Sequence, residues 1–131
     1  MTRALPTNIV LVADDEELAS MVVQEGLQEA GYEVIGVSSG KSALDEIDRL
    51  GPGLCAVVTD IRMGAGPDGW AVARHAREKN PGIAVVYMSG DSAVDWNAMG
   101  VPHSAMLQKP FTISQVVVAL ANQQNRTDDW A

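Results

Sequence analysis

Ala56-Val57-Val58-Thr59-Asp60 is the stretch of sequence around which the rest of the chain is arranged. Its first four residues favour a buried strand, and its last residue is a carboxylate. Turns rich in glycine and proline flank the stretch at 51–53 and 64–69. This pattern is typical of a central strand in a parallel sheet. Because ligands of open α/β sheets bind at the carboxyl ends of the strands, we expect Asp60 to lie in a functional crevice.

The composition indicates a single soluble domain. The chain has 131 residues, of which 47% are hydrophobic, and this suits one core. It contains no apolar run of about 18 residues, and residues 1–7 lack the apolar segment of a signal peptide, so we expect a cytoplasmic protein without membrane contact. The formal net charge of −8 argues against a DNA-binding surface. Cys55, the single cysteine, lies in an apolar run and is expected to be a buried thiol.

Strand-like and helix-like segments alternate five times along the chain. The predicted strands are 8–13, 33–37, 56–60, 83–88 and 105–108. The first helix shows an apolar stripe at Ala19, Val22, Val23, Gly26, Leu27 and Ala30. Thr112 and Gln115 form the capping box of the last helix. The alternation predicts an α/β fold with a parallel sheet covered on both faces, occupying residues 1–123 and followed by a polar tail at 124–131.

Polar side chains follow four of the five predicted strands. They are Asp14 and Asp15 after the first strand, Asp60 after the third, Ser89 after the fourth and Lys109 after the fifth. Three carboxylates at one sheet edge repel one another unless a cation joins them, and carboxylate oxygens completed by water suit Mg²⁺. A hydroxyl and an ammonium group suit phosphoryl oxygens, and a carboxylate can itself be the nucleophile. The set therefore predicts magnesium-assisted phosphoryl transfer onto a carboxylate.

With these residues, the sequence resembles the receiver domain of two-component response regulators. The resemblance covers about residues 8–122 and rests on Asp14-Asp15, Asp60, Met63, Ser89-Gly90 and Lys109-Pro110-Phe111. It implies a flavodoxin-like (βα)5 sandwich of three layers, with a five-stranded parallel sheet of order 2-1-3-4-5. It also implies that Asp60 accepts a phosphoryl group from a histidine kinase or a histidine phosphotransfer protein.

The resemblance implies roles for the other residues at the strand ends. Asp14, Asp15, Asp60 and the backbone carbonyl of Arg62 would hold Mg²⁺. Lys109, Ser89 and Gly90 would bind the phosphoryl group, and Ser89 would report the modification. The face formed by the fourth helix, the fifth strand and the fifth helix would then change its interactions with a downstream protein target or, through a phosphorylation-dependent dimer, with a second copy.

Three departures from the family pattern predict an unusual output surface. Met106 stands three residues before Lys109, where the family usually has an aromatic residue, so the usual aromatic switch is in question. The loop at 63–69 is about one residue longer than usual and rich in glycine. Ser89 and Lys109 are closer in sequence than is usual, so the fourth helix is expected to be short.

Alternative interpretations remain open at this point. Residues 64–69 read GxGxxG, as dinucleotide-binding loops do, but they follow the third strand instead of the first. Residues 36–42 look like the P-loop of a nucleotide hydrolase, with three residues instead of four between the first glycine and Gly-Lys-Ser. The fold could also serve as an interaction module without phosphorylation. His75 and His103 lack the spacing of metal ligands.

The intact acidic set favours the phosphoacceptor among these alternatives. We therefore expect a signalling domain that catalyses only its own phosphorylation and dephosphorylation, and not an enzyme with a separate substrate. No DNA-binding or catalytic module follows residue 123, so we expect either a single-domain regulator or a piece of a larger protein.

Overall fold

A computed structural model of the chain describes residues 8–128. The strands are β1 (Ile9–Ala13), β2 (Glu33–Val37), β3 (Leu54–Asp60), β4 (Ala84–Ser89) and β5 (Ala105–Gln108). The helices are α1 (Glu17–Glu29), α2 (Gly40–Leu50), α3 (Gly69–Lys79), α4 (Trp96–Met99) and α5 (Ile113–Asp128). Short 3-10 turns span Gly51–Gly53 and Ala93–Asp95. Residues 1–7 and the predicted tail residues 129–131 lie outside the described residues.

The five strands form one parallel sheet in the order β2-β1-β3-β4-β5, so the predicted flavodoxin-like fold is confirmed. β3 pairs with β1 on one side and β4 on the other, and this central position explains why nearly all of its residues are buried. Because successive side chains of a strand point to opposite faces, β3 contributes to two cores. Val57 packs on the side of α2 and α3, and Val58 packs on the side of α1 and α5.

The buried face of α1 matches the predicted stripe only in part, although Val23 and Leu27 are buried as expected. Its buried positions are Ser20, Val23 and Leu27. Val22 and Ala30, which the stripe included, are exposed. At Gly26, an added Cβ would collide with the side chain of Ile113 in α5, so the two helices approach closely along this line. The apolar periodicity therefore indicates the buried side of α1, and the packing against α5 sets the limits of the buried face.

The ends of the helices follow local sequence signals. The Asp68 carboxylate caps α3 by accepting from the Ala71 amide at 2.9 Å, and Ser39 caps α2 by accepting from the Ser42 amide at 3.1 Å. The predicted capping box at the start of α5 is present, because the Thr112 amide donates to Gln115 Oε1 at 2.7 Å. A single α-helical turn forms α4, which agrees with the prediction that it is short.

Two features of the chain differ from the sequence expectations. Helix α5 continues through Asp128, so the part of the predicted tail at 124–128 has helical backbone, while the domain boundary itself stays a prediction. Cys55 is half-buried, not fully buried, and burial raises the pKa of its thiol to about 11.

Between residues 8 and 128, no helix combines the length and hydropathy needed to cross a membrane.

The junction between β3 and α3 fixes the position of Asp60. The Gly69 amide donates to the Ile61 carbonyl oxygen at 2.8 Å. A Cβ added at Gly69 would collide with the carbonyl oxygen of Asp60, so only glycine allows the start of α3 to lie against the end of β3. This contact holds the carboxylate at the edge of the sheet.

Candidate functional site

Three carboxylates lie together at the carboxyl ends of β1 and β3. Asp14 directly follows β1, Asp15 is next in the chain, and Asp60 is the last residue of β3. Each offers one oxygen, and these oxygens lie within 4.8 Å of one another. Asp14 and Asp60 are 2% and 7% exposed, whereas Asp15 is open to solvent. A cluster of hard oxygens with one open side suits a divalent cation that keeps several water ligands.

Burial sets the electrostatics of this cluster. Removal from water raises the pKa of the Asp60 carboxyl to about 6, although the Lys109 ammonium group opposes the shift; the charge of Asp14 raises this pKa further. Burial also raises the pKa of Asp14, against the lowering effect of the Glu16 amide, which donates to Asp14 Oδ1 at 2.9 Å. The charge of Asp14 therefore disfavours the charged form of Asp60, and a cation between the two carboxylates would relieve this repulsion.

Lys109 brings a positive charge to the same place from the end of β5. Its Nζ lies 3.5 Å from Asp60 Oδ2 and 4.0 Å from Glu16 Oε1. The Lys109 amide donates to the Ser89 carbonyl oxygen at 2.8 Å, which fixes the lysine backbone to the end of β4. The sequence prediction did not include Glu16. The sequence feature that could have indicated Glu16 is its position directly after Asp14-Asp15, where it precedes the first residue of α1.

Ser89 is buried at the end of β4, and its hydroxyl oxygen binds the loop that follows. Oγ accepts from the Asp91 amide at 3.2 Å and from the Ser92 amide at 2.6 Å. Within residues 8–128, no side-chain hydrogen bond joins Ser89 to Asp60. The Ser89 hydroxyl, predicted to bind the phosphoryl group, therefore lies at the same edge of the sheet as Asp60, but its oxygen is hydrogen-bonded to the loop that follows β4.

A cavity of about 340 Å³ opens between these loops. Its lining residues are Asp15, Glu16, Asp60, Arg62, Gly90, Asp91 and Lys109. Arg62 Nε donates to Asp91 Oδ1 and to Ser92 Oγ, each at 3.2 Å. The predicted residues Arg62 and Gly90 thus share the cavity with Asp60, while Ser89 does not line it. A tetrahedral anion the size of a phosphoryl group fits a space of this volume.

Met106, the predicted departure from the family pattern, lies in β5 beside Tyr87 of β4. It is partly buried and packs against the apolar cluster that includes Tyr87 and Trp70. The thioether of Met106 can fill space there, but it offers only a weak hydrogen-bond acceptor.

The geometry disfavours a P-loop at residues 36–42. Gly36 lies inside β2, paired in register with Val12, and the side chain of Gln24 covers it. Lys41 is exposed on α2 and binds Asp45 Oδ2 at 3.2 Å. A phosphate cradle needs backbone amides in a loop, and a strand residue does not supply them. The GxGxxG segment at 64–69 instead forms the turn that places Gly69 against Asp60.

Comparison with known proteins finds the same family by sequence and by structure. The family described as the response regulator receiver domain matches residues 10–121. A crystal structure of a response regulator receiver protein from Sinorhizobium medicae WSM419 has 41% sequence identity and a TM-score of 0.89, covering 95% of this chain and 99% of that one.

Two curated relatives differ in how much of their length is matched. The response regulator receiver protein CpdR of Brucella abortus (strain 2308) is 32% identical over 111 residues, which is 83% of this chain and 89% of CpdR. Sensor kinase CckA of the same organism is 32% identical over 122 residues, which is 91% of this chain. The chain spans only 13% of the length of CckA.

Proposed function

Because the chain belongs to the response regulator receiver domain family, we propose that Asp60 is the residue on which it accepts a phosphoryl group. Receiver domains of two-component response regulators are phosphoacceptors in signalling, and the family membership establishes that role for the domain. The observation that carries the assignment to Asp60 is its placement. Its carboxylate ends the central strand, lies in the acidic cluster and is 3.5 Å from the Lys109 ammonium group.

We infer that the acidic cluster holds Mg²⁺. Asp14, Asp15 and Asp60 provide carboxylate oxygens close enough to share one ion, and we propose the backbone carbonyl of Arg62, a residue of the adjoining cavity, as a further ligand. When bound, the ion would neutralise negative charge on the phosphoryl oxygens. The raised pKa values of Asp14 and Asp60 support this inference, since a cation would favour their charged forms.

The transfer itself requires a nucleophile and a neutralising charge. A carboxylate oxygen of Asp60 bonds to phosphorus while the phosphorus–nitrogen bond of a phosphohistidine donor breaks. The leaving imidazole nitrogen keeps the electron pair and takes a proton. Lys109 lies where it can pair with the added charge. In dephosphorylation, water bonds to phosphorus, the aspartyl oxygen–phosphorus bond breaks, and inorganic phosphate leaves with the carboxylate restored.

We also propose where the phosphoryl donor binds. Leu18, Met21 and Val22 of α1 are 79%, 48% and 62% exposed, next to the carboxylate cluster. The charged residues of α1 are all acidic, and no lysine or arginine occurs between residues 8 and 40. A donor surface that is apolar at its centre and basic at its rim would match this face. The similarity to a segment of sensor kinase CckA supports a histidine kinase or phosphotransfer protein as that donor.

The proposal is tested by intact mass measurement with Mg²⁺ and acetyl phosphate. We expect one added phosphoryl group on the wild-type protein, and no adduct when EDTA is present or when Asp60 is replaced in Asp60→Asn. Asp45→Asn is the matched control, because Asp45 is an exposed carboxylate on α2 with the same substitution chemistry. An adduct that persists in Asp60→Asn would remove the assignment.

A further inference from the structure

The buried phenol of Tyr87 connects the sheet to the loop after α4. Tyr87 is completely buried in β4, two residues before Ser89, and its partner in β3 is Thr59, the neighbour of Asp60. Its Oη accepts a hydrogen bond from the Val101 amide at 3.0 Å. A buried hydrogen bond from a side chain to a loop amide fixes that loop relative to the strand, because leaving the amide unpaired would cost free energy.

The ring of Tyr87 also contacts the start of α3. Its centroid is 4.7 Å from that of Trp70, and the planes are tilted by 59°. Trp70 follows Gly69, which is hydrogen-bonded to Ile61 and packed against the carbonyl of Asp60. Trp70 is 4% exposed, so this contact lies inside the core. The Tyr87 ring therefore packs against the start of the helix that leads away from Asp60.

The loop at 100–104 is held by a chain of hydrogen bonds that starts at Val101. The Val101 carbonyl oxygen accepts from Ser104 Oγ at 2.7 Å. Ser104 Oγ in turn accepts from Trp96 Nε1 of α4 at 2.9 Å. The hydrogen bond from the Val101 amide to Tyr87 thus joins β4 to this loop, and the Ser104 hydroxyl joins the loop to α4.

Arg77 of α3 holds the same loop from outside. Its guanidinium group donates to the carbonyl oxygens of Ile83, Pro102 and His103, at 2.8, 2.6 and 3.0 Å. The loop at 100–104 is thus hydrogen-bonded to α3 through Arg77 and to β4 through Tyr87.

We propose that Tyr87 is a positioning residue that couples the state of Asp60 to the loop at 100–104, through Trp70 on one side and the Val101 amide on the other. This inference rests on the proposed phosphorylation of Asp60. Phosphorylation changes the contacts of the segment after Asp60, Trp70 shifts against Tyr87, and the loop beside α4 responds.

Amide hydrogen exchange of residues 100–104, with and without acetyl phosphate and Mg²⁺, tests the coupling. Tyr87→Phe keeps the ring and removes the acceptor oxygen. We expect this variant to gain the same phosphoryl adduct by mass as the wild-type protein. In its unphosphorylated form the Val101 amide should exchange about tenfold faster, because one buried hydrogen bond is lost. The difference in loop exchange between the two states should disappear.

Tyr32→Phe is the matched control. The Tyr32 phenol also makes a hydrogen bond, which it donates to Gln124 Oε1 at 2.8 Å, and it lies on the other side of the sheet. It should keep the phosphorylation-dependent difference at 100–104. Trp70→Phe is a second variant that tests the other contact and should reduce that difference even if Tyr87→Phe does not fold.

The outcomes separate the coupling from the proposed function. A wild-type difference that survives in both Tyr87→Phe and Trp70→Phe, with a normal adduct, would overturn the coupling alone. A wild-type protein that gains no adduct would overturn the phosphorylation of Asp60, and the coupling with it.

Discussion

The carboxyl group of Asp60 is subject to opposing influences. Burial favours its neutral form, the Lys109 ammonium group 3.5 Å away favours its charged form, and Asp14 again favours the neutral form. The result is a pKa of about 6, compared with 3.8 for the free side chain. A group whose folded pKa is raised in this way holds its proton more tightly in the folded protein, so its contribution to stability falls as the pH rises from about 4 to above 6.

Asp60→Asn should therefore stabilise the metal-free protein at neutral pH. We expect an increase in the free energy of unfolding on the order of 2 kcal/mol near pH 7, because the variant no longer buries a charged group. Near pH 4 the gain should be much smaller, since the wild-type carboxyl is then protonated. Urea unfolding in EDTA at both pH values measures the difference. A gain that is equal at the two pH values would show that the charge of Asp60 is not its cause.

Lys109→Ala should leave the fold intact and abolish the response of the loop at 100–104. The ammonium group is the positive charge nearest Asp60 in the described structure, and without it the added phosphoryl charge has no partner from β5. Circular dichroism should match the wild-type protein, while loop exchange should no longer differ on treatment with acetyl phosphate. Lys41→Ala, which removes an exposed lysine on α2, should behave like the wild-type protein. An intact loop response in Lys109→Ala would contradict the role of this side chain.

At the scale of the elements, the strand ends could be predicted from local sequence, whereas the exact buried face of α1 could not. The buried runs of β3 and β4 and the polar residues after them specify both the strands and the edge at which Asp60 lies. The buried face of α1 depends on α5, which contacts it at Gly26 and Ile113 across the chain. The link between Tyr87 and Val101 likewise joins residues whose pairing no local pattern encodes.

The close approach of α3 to β3 at Gly69 can be tested by substitution. Gly69→Ala should destabilise the protein by about 1–3 kcal/mol, because the new methyl group meets the backbone carbonyl of Asp60, which cannot rotate away. Gly53→Ala is the matched control, since nothing lies within 4 Å of its added Cβ. Chemical unfolding should show little change for Gly53→Ala. Equal stabilities of the two variants would mean that the close approach of α3 to β3 is not required.

At the scale of the whole molecule, the net charge of −8 adds to the repulsion within the acidic cluster. Topology explains why the cluster was predictable. Parallel strands bring their carboxyl ends to one edge, so Asp14, Asp15, Asp60 and Lys109 converge although they are far apart in sequence. The hydrogen bonds of Ser89 to its own loop and the ion pair of Arg62 with Asp91 were not predictable, because they depend on the conformation of the loop after β4.

Addition of Mg²⁺ should stabilise the whole fold through the acidic cluster. A cation that binds only the folded protein raises the free energy of unfolding by about 1.4 kcal/mol at ten times its dissociation constant. We expect this increase in the wild-type protein and in Asp45→Asn, its reversal by EDTA, and its loss in Asp14→Asn and Asp60→Asn. Because any salt screens a net charge of −8, NaCl at matched ionic strength must be compared. If NaCl gives the same stabilisation, or if the stabilisation persists in both Asp14→Asn and Asp60→Asn, then Mg²⁺ acts by screening the net charge and not by binding Asp14 and Asp60.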